Sequence, residues 1–150
     1  MSLILQQIDQ LFEDVHLAIK QQKYANAMIL LRIAGEQWTI LLCERHQITS
    51  RHLHQRERLR FLQQQALIDF KTLRFLRKLQ STGNRAVHQL QANPHQVIYY
   101  LTHLERYVSR YQQSTTCIHN VNTYGASLTY KSIDYVLSSS SYIVCVHHLS

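Results

Sequence analysis

Apolar residues recur along most of this chain at steps of three and four. Ile4, Ile8, Leu11, Phe12, Val15 and Ile19 form the first such row, the stripe that a helix buries against a neighbour. The polar run Gln21-Gln22-Lys23 closes it. A second row, Ala27, Leu30, Leu31, Ala34, Trp38, Leu41 and Leu42, predicts a helix from about Tyr24 to about Gln47. Gly35 lies inside it, where glycine costs about 1 kcal/mol against alanine, so a close approach of another helix is expected there. Ile48 to His54 is a polar break. A third helical region is predicted from about Arg56 to Gln80, with Leu59, Leu62, Ala66, Phe70, Leu73, Leu76 and Leu79 as its apolar positions and an interruption near Gln63-Gln64-Gln65.

Ser81 or Thr82 is expected to cap a short fourth helix through about Leu90, because a hydroxyl can accept the free backbone N–H groups of a first turn. Asn93-Pro94 is a second start signal, with Asn at the cap and Pro in the first turn. Val97, Leu101, Leu104, Val108 and Tyr111 then follow a heptad-like rhythm suited to packing on a partner helix. Residues 3–113 therefore read as all-α, a bundle of four or five helices. Residues 114–150 differ: their only full charges are Lys131 and Asp134, Ser138 to Ser141 is a serine run, and Tyr142-Ile143-Val144-Cys145-Val146 has strand propensity. The domain division expected is 1–113 for the helical body and 114–150 for a Ser/Thr/Tyr-rich tail, non-helical or weakly β, as a hairpin or as a poorly ordered end. Such a tail also suits the front portion of a larger protein.

At 150 residues with 45% apolar and 17% charged positions, the chain is globular and can build its own core. No apolar run approaches the ~20 residues of a membrane span, and the first residues lack the basic and apolar regions of a secretory signal. A cytoplasmic protein without membrane partners is the expectation. Cys43, Cys117 and Cys145 are odd in number and show no CxxC spacing, so a reducing compartment and no zinc site are expected, with Cys43 as a small core residue. His46, His52, His54 and the His147-His148 pair read as solvated histidines rather than metal ligands. Nothing in the chain resembles a phosphate-binding glycine loop or a serine nucleophile turn, and no cofactor is implied.

The charge is more informative. Sixteen Lys+Arg against nine Asp+Glu give +7. The excess is concentrated between Arg45 and Arg85, where ten basic residues meet only Glu57 and Asp69. Eight of those ten are arginines, the side chain best matched to phosphate oxygens. Arg56, Arg58, Arg60, Arg74, Arg77, Lys78 and Arg85 are therefore the candidate nucleic-acid contacts, set against the alternative of a solvated basic face with no ligand. Tyr99, Tyr100, Tyr107 and Tyr111 have a spacing that favours core or interface positions over base stacking.

One short motif carries chemistry. In Ser81-Thr82-Gly83-Asn84-Arg85-Ala86-Val87-His88, Asn84 and His88 stand four residues apart and share a helix face. An imidazole can move protons near neutral pH, and an amide can orient a 2′-hydroxyl or phosphate oxygen. The plainer reading is an Asn that caps or cross-links helices and a His that satisfies a buried acceptor. Earlier, Arg32 and Glu36 lie four apart in Leu30-Leu31-Arg32-Ile33-Ala34-Gly35-Glu36 and read as a helical ion pair.

The Gly-Asn-x-Ala-x-His pattern at 83–88, with the Leu-Arg-x-x-x-Glu helix before it and an amphipathic helix after it, resembles the HEPN superfamily of α-helical domains. The resemblance covers roughly residues 5–113. It is greatest to the restriction-associated domain of unknown function at the N-terminus of type I restriction HsdR subunits and related helicases. Catalytic HEPN proteins are metal-independent ribonucleases with an Arg-polar-x-x-x-His motif. Carried onto this chain, that motif puts the polar residue at Asn84 and the histidine at His88, but it puts Gly83 where the arginine belongs. In the restriction-associated branch an arginine often precedes the glycine by three residues; here that residue is Gln80. Loss of a guanidinium at the phosphate costs on the order of a few kcal/mol of transition-state stabilisation, unless Arg85 or Arg77 takes its place. The resemblance therefore implies a non-catalytic module of a restriction or anti-phage system, contacting RNA or DNA and pairing as a homodimer or with a homologous helical face. The alternatives are a toxin-like metal-independent endoribonuclease using Asn84 and His88, and a purely structural dimerisation domain.

Overall fold

A computed structural model describes residues 2–48 and 53–121, the last seven in backbone only. Five helices follow one another: α1 (Leu3–Lys20), α2 (Tyr24–Arg45), α3 (Gln55–Gln64), α4 (Phe70–Gln89) and α5 (Pro94–Val121). Among the described residues there is no strand, and the architecture is an all-α bundle. α2 is its axis. Ala27, Met28, Leu31, Ala34, Gly35, Trp38, Thr39, Leu41, Leu42 and Cys43 are all buried on it. Burial reaches round the helix because α1, α3, α4 and α5 each pack against it. α1 and α4 hardly meet each other.

The α2–α4 crossing is close at two glycines. A Cβ on Gly35 would come 2.8 Å from Leu79 Cδ2, and a Cβ on Gly83 would come 2.5 Å from Arg32 Cβ. The expectation of close packing at Gly35 is met, and Gly83 supplies the matching gap on the facing helix. α4 and α5 are held differently. Their backbones stay apart, and rings fill the space. The Phe75 centroid lies 5.6 Å from that of Tyr100 and 5.3 Å from that of Tyr107, and Tyr107 stacks on the buried Trp38 at 5.3 Å.

Helix starts follow side-chain chemistry. Asp69 caps α4, its Oδ1 accepting from Thr72 N at 2.7 Å. Asn93 accepts from His95 N at 2.8 Å as α5 begins, as the Asn-Pro signal predicts. Helix ends are less usual. α1, α2 and α3 close with paired bonds of the Schellman type, for example Lys23 N to Ala18 O at 2.8 Å and Leu67 N to Leu62 O at 2.9 Å. The left-handed residues at these ends and after α4 are Gln22, Gln47, Ala66 and Leu90, none of them glycine.

Two expectations need correction. Ser81 and Thr82 cap nothing, because α4 runs unbroken from Phe70 to Gln89. Its buried row, Leu73, Leu76, Leu79, Gly83 and Ala86, continues through both residues, and tertiary packing overrides the local cap signal. The interruption expected near Gln63-Gln64-Gln65 is present: α3 ends at Gln64, and Asp69 caps α4 after it. The tail does not begin at 114: Ser114–Val121 continues α5. The expected hairpin over 142–146 lies outside the described residues, as do Arg51 and His52.

Candidate nucleic-acid interface

Helix α4 carries Lys71, Arg74, Arg77, Lys78 and Arg85, all exposed, and has no Asp or Glu. The apolar row that fixes α4 on α2 leaves these residues on the outer face. Lys71 and Arg85 are fourteen residues apart, about 21 Å at 1.5 Å per residue. Acidic residues gather elsewhere, with Asp9, Glu13 and Asp14 on α1.

The other predicted phosphate contacts divide. Arg56 and Arg60 are exposed on α3. Arg58 is not available: it is only 8% exposed. Its Nη2 donates to Gln55 Oε1 at 3.2 Å and its Nη1 to the Leu53 carbonyl. Gln55 in turn donates to Thr39 Oγ1 at 2.9 Å, and Thr39 donates to the Gly35 carbonyl at 2.8 Å. This network ties α3 to α2, so Arg58 is a structural residue. The amphipathic period carries that signal, since Arg58 stands one turn before Leu62 on the flank of the buried row. Arg45 is also drawn into packing, its guanidinium 5.1 Å from the Tyr111 ring centroid. Burial pushes the Tyr111 hydroxyl above its usual pKa, against the opposing pull of Arg45.

The Asn84/His88 motif sits in the last turns of α4, and both residues are exposed. Asn84 is not a cap. Its Oδ1 accepts from Arg32 Nη1 at 3.3 Å, and the same Nη1 donates to Glu36 Oε1 at 3.0 Å. The Arg32 stem lies directly over Gly83. The guanidinium beside Asn84 thus comes from α2, not from the motif's own helix. Among the described residues, His88 has no hydrogen-bond or ion-pair partner. Arg85 turns to the α5 side, where it lines a cleft with Thr82, Gln89, Gln91, Asn93 and Gln96. Arg77 precedes Asn84 by seven residues, about 10 Å along the helix. In the sequence Arg32 and Glu36 read only as an ion pair: the i,i+4 spacing shows that bond, but nothing local shows α4 arriving beside it.

Of the four tyrosines, Tyr100 is 7% exposed, Tyr107 and Tyr111 are half-buried, and Tyr99 is 51% exposed. The core reading holds for three of them and leaves Tyr99 at the surface. Cys43 is buried as expected, and its burial raises the thiol pKa, with Arg58 pulling the other way. His46 and His54 are exposed, and among the described residues no three His, Cys, Asp or Glu side chains gather as a metal site would need. Among the same residues no helix is long and apolar enough to cross a membrane. Comparison of the chain with models of protein families, with curated proteins and with solved structures finds no match.

Proposed function

We propose that the chain is a HEPN-like, non-catalytic module that contacts nucleic acid, working in the cytoplasm within a bacterial restriction or anti-phage defence system. One observation carries the binding part of this reading: the outer face of α4 bears five cations and no anion over about 21 Å. Such a face attracts a phosphate backbone by releasing its counterions, which makes affinity strongly dependent on salt. The defence setting and pairing with a second helical face come from the resemblance at Gly83, Asn84 and His88. The exposed Val87 and Leu90 beside His88 offer apolar surface for such pairing, and light scattering reads the mass directly.

The test is fluorescence anisotropy on a labelled mixed-sequence RNA and DNA across a salt series. Replacing Arg74, Arg77 and Lys78 by Gln should weaken binding and flatten the salt slope by about two, near 0.7 per lost contact on a single strand. An unchanged slope removes α4 as the contact face.

A second reading, the metal-independent ribonuclease, is favoured by Arg32, whose guanidinium stands beside Asn84 where the motif lacks an arginine. Its engagement with Glu36 and the unpartnered exposure of His88 make the non-catalytic reading the better supported. Cleavage of a structured RNA in EDTA, abolished in both His88→Ala and Arg32→Ala, would establish the ribonuclease instead.

A further inference from the structure

The antiparallel pair α4 and α5 is joined by a short connection, and the cleft at this end has a volume of about 350 Å³. That is the small end of the range for ligand pockets, roughly 300–1,000 Å³. Its lining holds one cation, Arg85, and no anion. The rest is dominated by primary amides. Asn93 is committed to the α5 start through His95 N, while among the described residues the amides of Gln89, Gln91 and Gln96 make no hydrogen bond.

We infer that this cleft accepts one unpaired adenine base of a single strand whose phosphates lie on the α4 cations. The inference rests on the nucleic-acid reading of α4 and adds what kind of strand that face holds. An amide presents a donor beside an acceptor; an unpaired adenine can take two such groups at once, at N6 with N7 and at N6 with N1, whereas uracil and cytosine take one and guanine shows two acceptors on its N7 edge. Arg85 belongs to the cleft and to the basic face alike, so a base seated among the glutamines has a cation for its own phosphate. Lys78 and Lys71 precede Arg85 by one and two heptads on the same flank of α4, which carries the backbone onward. Tyr99 lies one turn beyond Gln96 on α5, half-exposed, with its ring 4.1 Å from that of His103. It offers a stacking platform for a neighbouring base. A paired base is held in the stack by both faces, so only an unpaired one can swing into the cleft.

The experiment compares fluorescein-labelled oligoadenylate and oligouridylate RNAs of about ten nucleotides with a duplex of equal length, at fixed low salt. Oligoadenylate is expected to bind about tenfold more tightly than either of the others. The double variant Gln89→Ala/Gln96→Ala should lose that preference while keeping oligouridylate affinity and the salt slope. Both positions are exposed, and circular dichroism confirms that the variant is folded. Equal binding of the two RNAs, a preference that survives the double variant, or tighter binding of the duplex overturns the adenine cleft and leaves the basic face standing. Failure of every strand to bind overturns both.

Discussion

Replacing Gly83 with alanine probes the close approach of α2 and α4 and the candidate motif together. The added methyl would stand 2.5 Å from Arg32 Cβ, 2.8 Å from its Cδ and 3.0 Å from its Cγ. Ordinary carbon contacts lie near 3.5–4.0 Å, so α2 and α4 must part by roughly 1 Å. The Arg32 Cβ is fixed to the α2 backbone and cannot swing aside as a side-chain tip can. A gap of that size forfeits about a quarter to a half of the dispersion energy of each contact it opens. Overpacking of this kind costs typically about 1–3 kcal/mol. Against it stands the higher helix propensity of alanine, a gain of about 1 kcal/mol. Because the Arg32 Cβ cannot yield, the upper part of that range applies, about 2–3 kcal/mol, and the net expectation is a loss of about 1–2 kcal/mol. Gly35→Ala is the control: its methyl would crowd Leu79 Cδ2, at 2.8 Å, with Leu76 Cδ2 and Leu79 Cγ at an ordinary 3.8 Å; the crowded methyl can rotate away, so the net cost should be smaller. Trp38 is the single tryptophan of the chain, buried and stacked on Tyr107, so its fluorescence reports unfolding in urea. A Gly83→Ala protein as stable as the parent, or more stable, would refute the close approach of α2 and α4, and with it the delivery of Arg32 to Asn84.

Three further outcomes follow from the same structure. Ala66 holds φ of 53° at the end of α3, a region costly for residues with a Cβ; Ala66→Gly should raise stability by about 1 kcal/mol, and a lowered urea midpoint would contradict this. Arg58→Ala should cost about 2–3 kcal/mol by stranding Gln55 Oε1 and the Leu53 carbonyl, yet leave oligonucleotide binding at permissive temperature as in the parent; a salt slope reduced like that of an Arg74 variant would return Arg58 to the binding face. Cys43 should resist alkylation in a Cys117→Ser/Cys145→Ser protein until urea unfolds it. Because its folded pKa is raised, the fold prefers the neutral thiol. Its contribution is therefore full below the ordinary thiol pKa of about 8.5 and falls as pH rises past it, so rapid labelling of the native protein at neutral pH would contradict the buried placement.

Much of the fold was legible in the chain because a helix's buried stripe is a local, periodic property. The rows from Ile4 to Ile19 and from Ala27 to Leu42 marked α1 and α2, and Asn93-Pro94 marked the start of α5, since cap chemistry acts within one turn. The same local logic failed at Ser81-Thr82. Two hydroxyls make a good cap in isolation, but the burial of Leu79, Gly83 and Ala86 against α2 makes a continuous helix there more favourable. Only packing across the core could decide that.

The candidate site divides along the same line. Composition alone placed an excess of arginine between Arg45 and Arg85, and spacing alone put Asn84 and His88 on one helix face. Which cations meet solvent was decided by tertiary structure: the outer face of α4 keeps its five, while Arg58 turns inward to bond Gln55 and the Leu53 carbonyl. Tertiary structure also brought Arg32 to Asn84 across fifty-two residues of chain and opened the amide-lined cleft between α4 and α5. Periodicity is written in residues a few steps apart and can be read from them. The meeting of two helices depends on which side chains, and which glycines, face one another across the core, and that is settled only when the bundle closes.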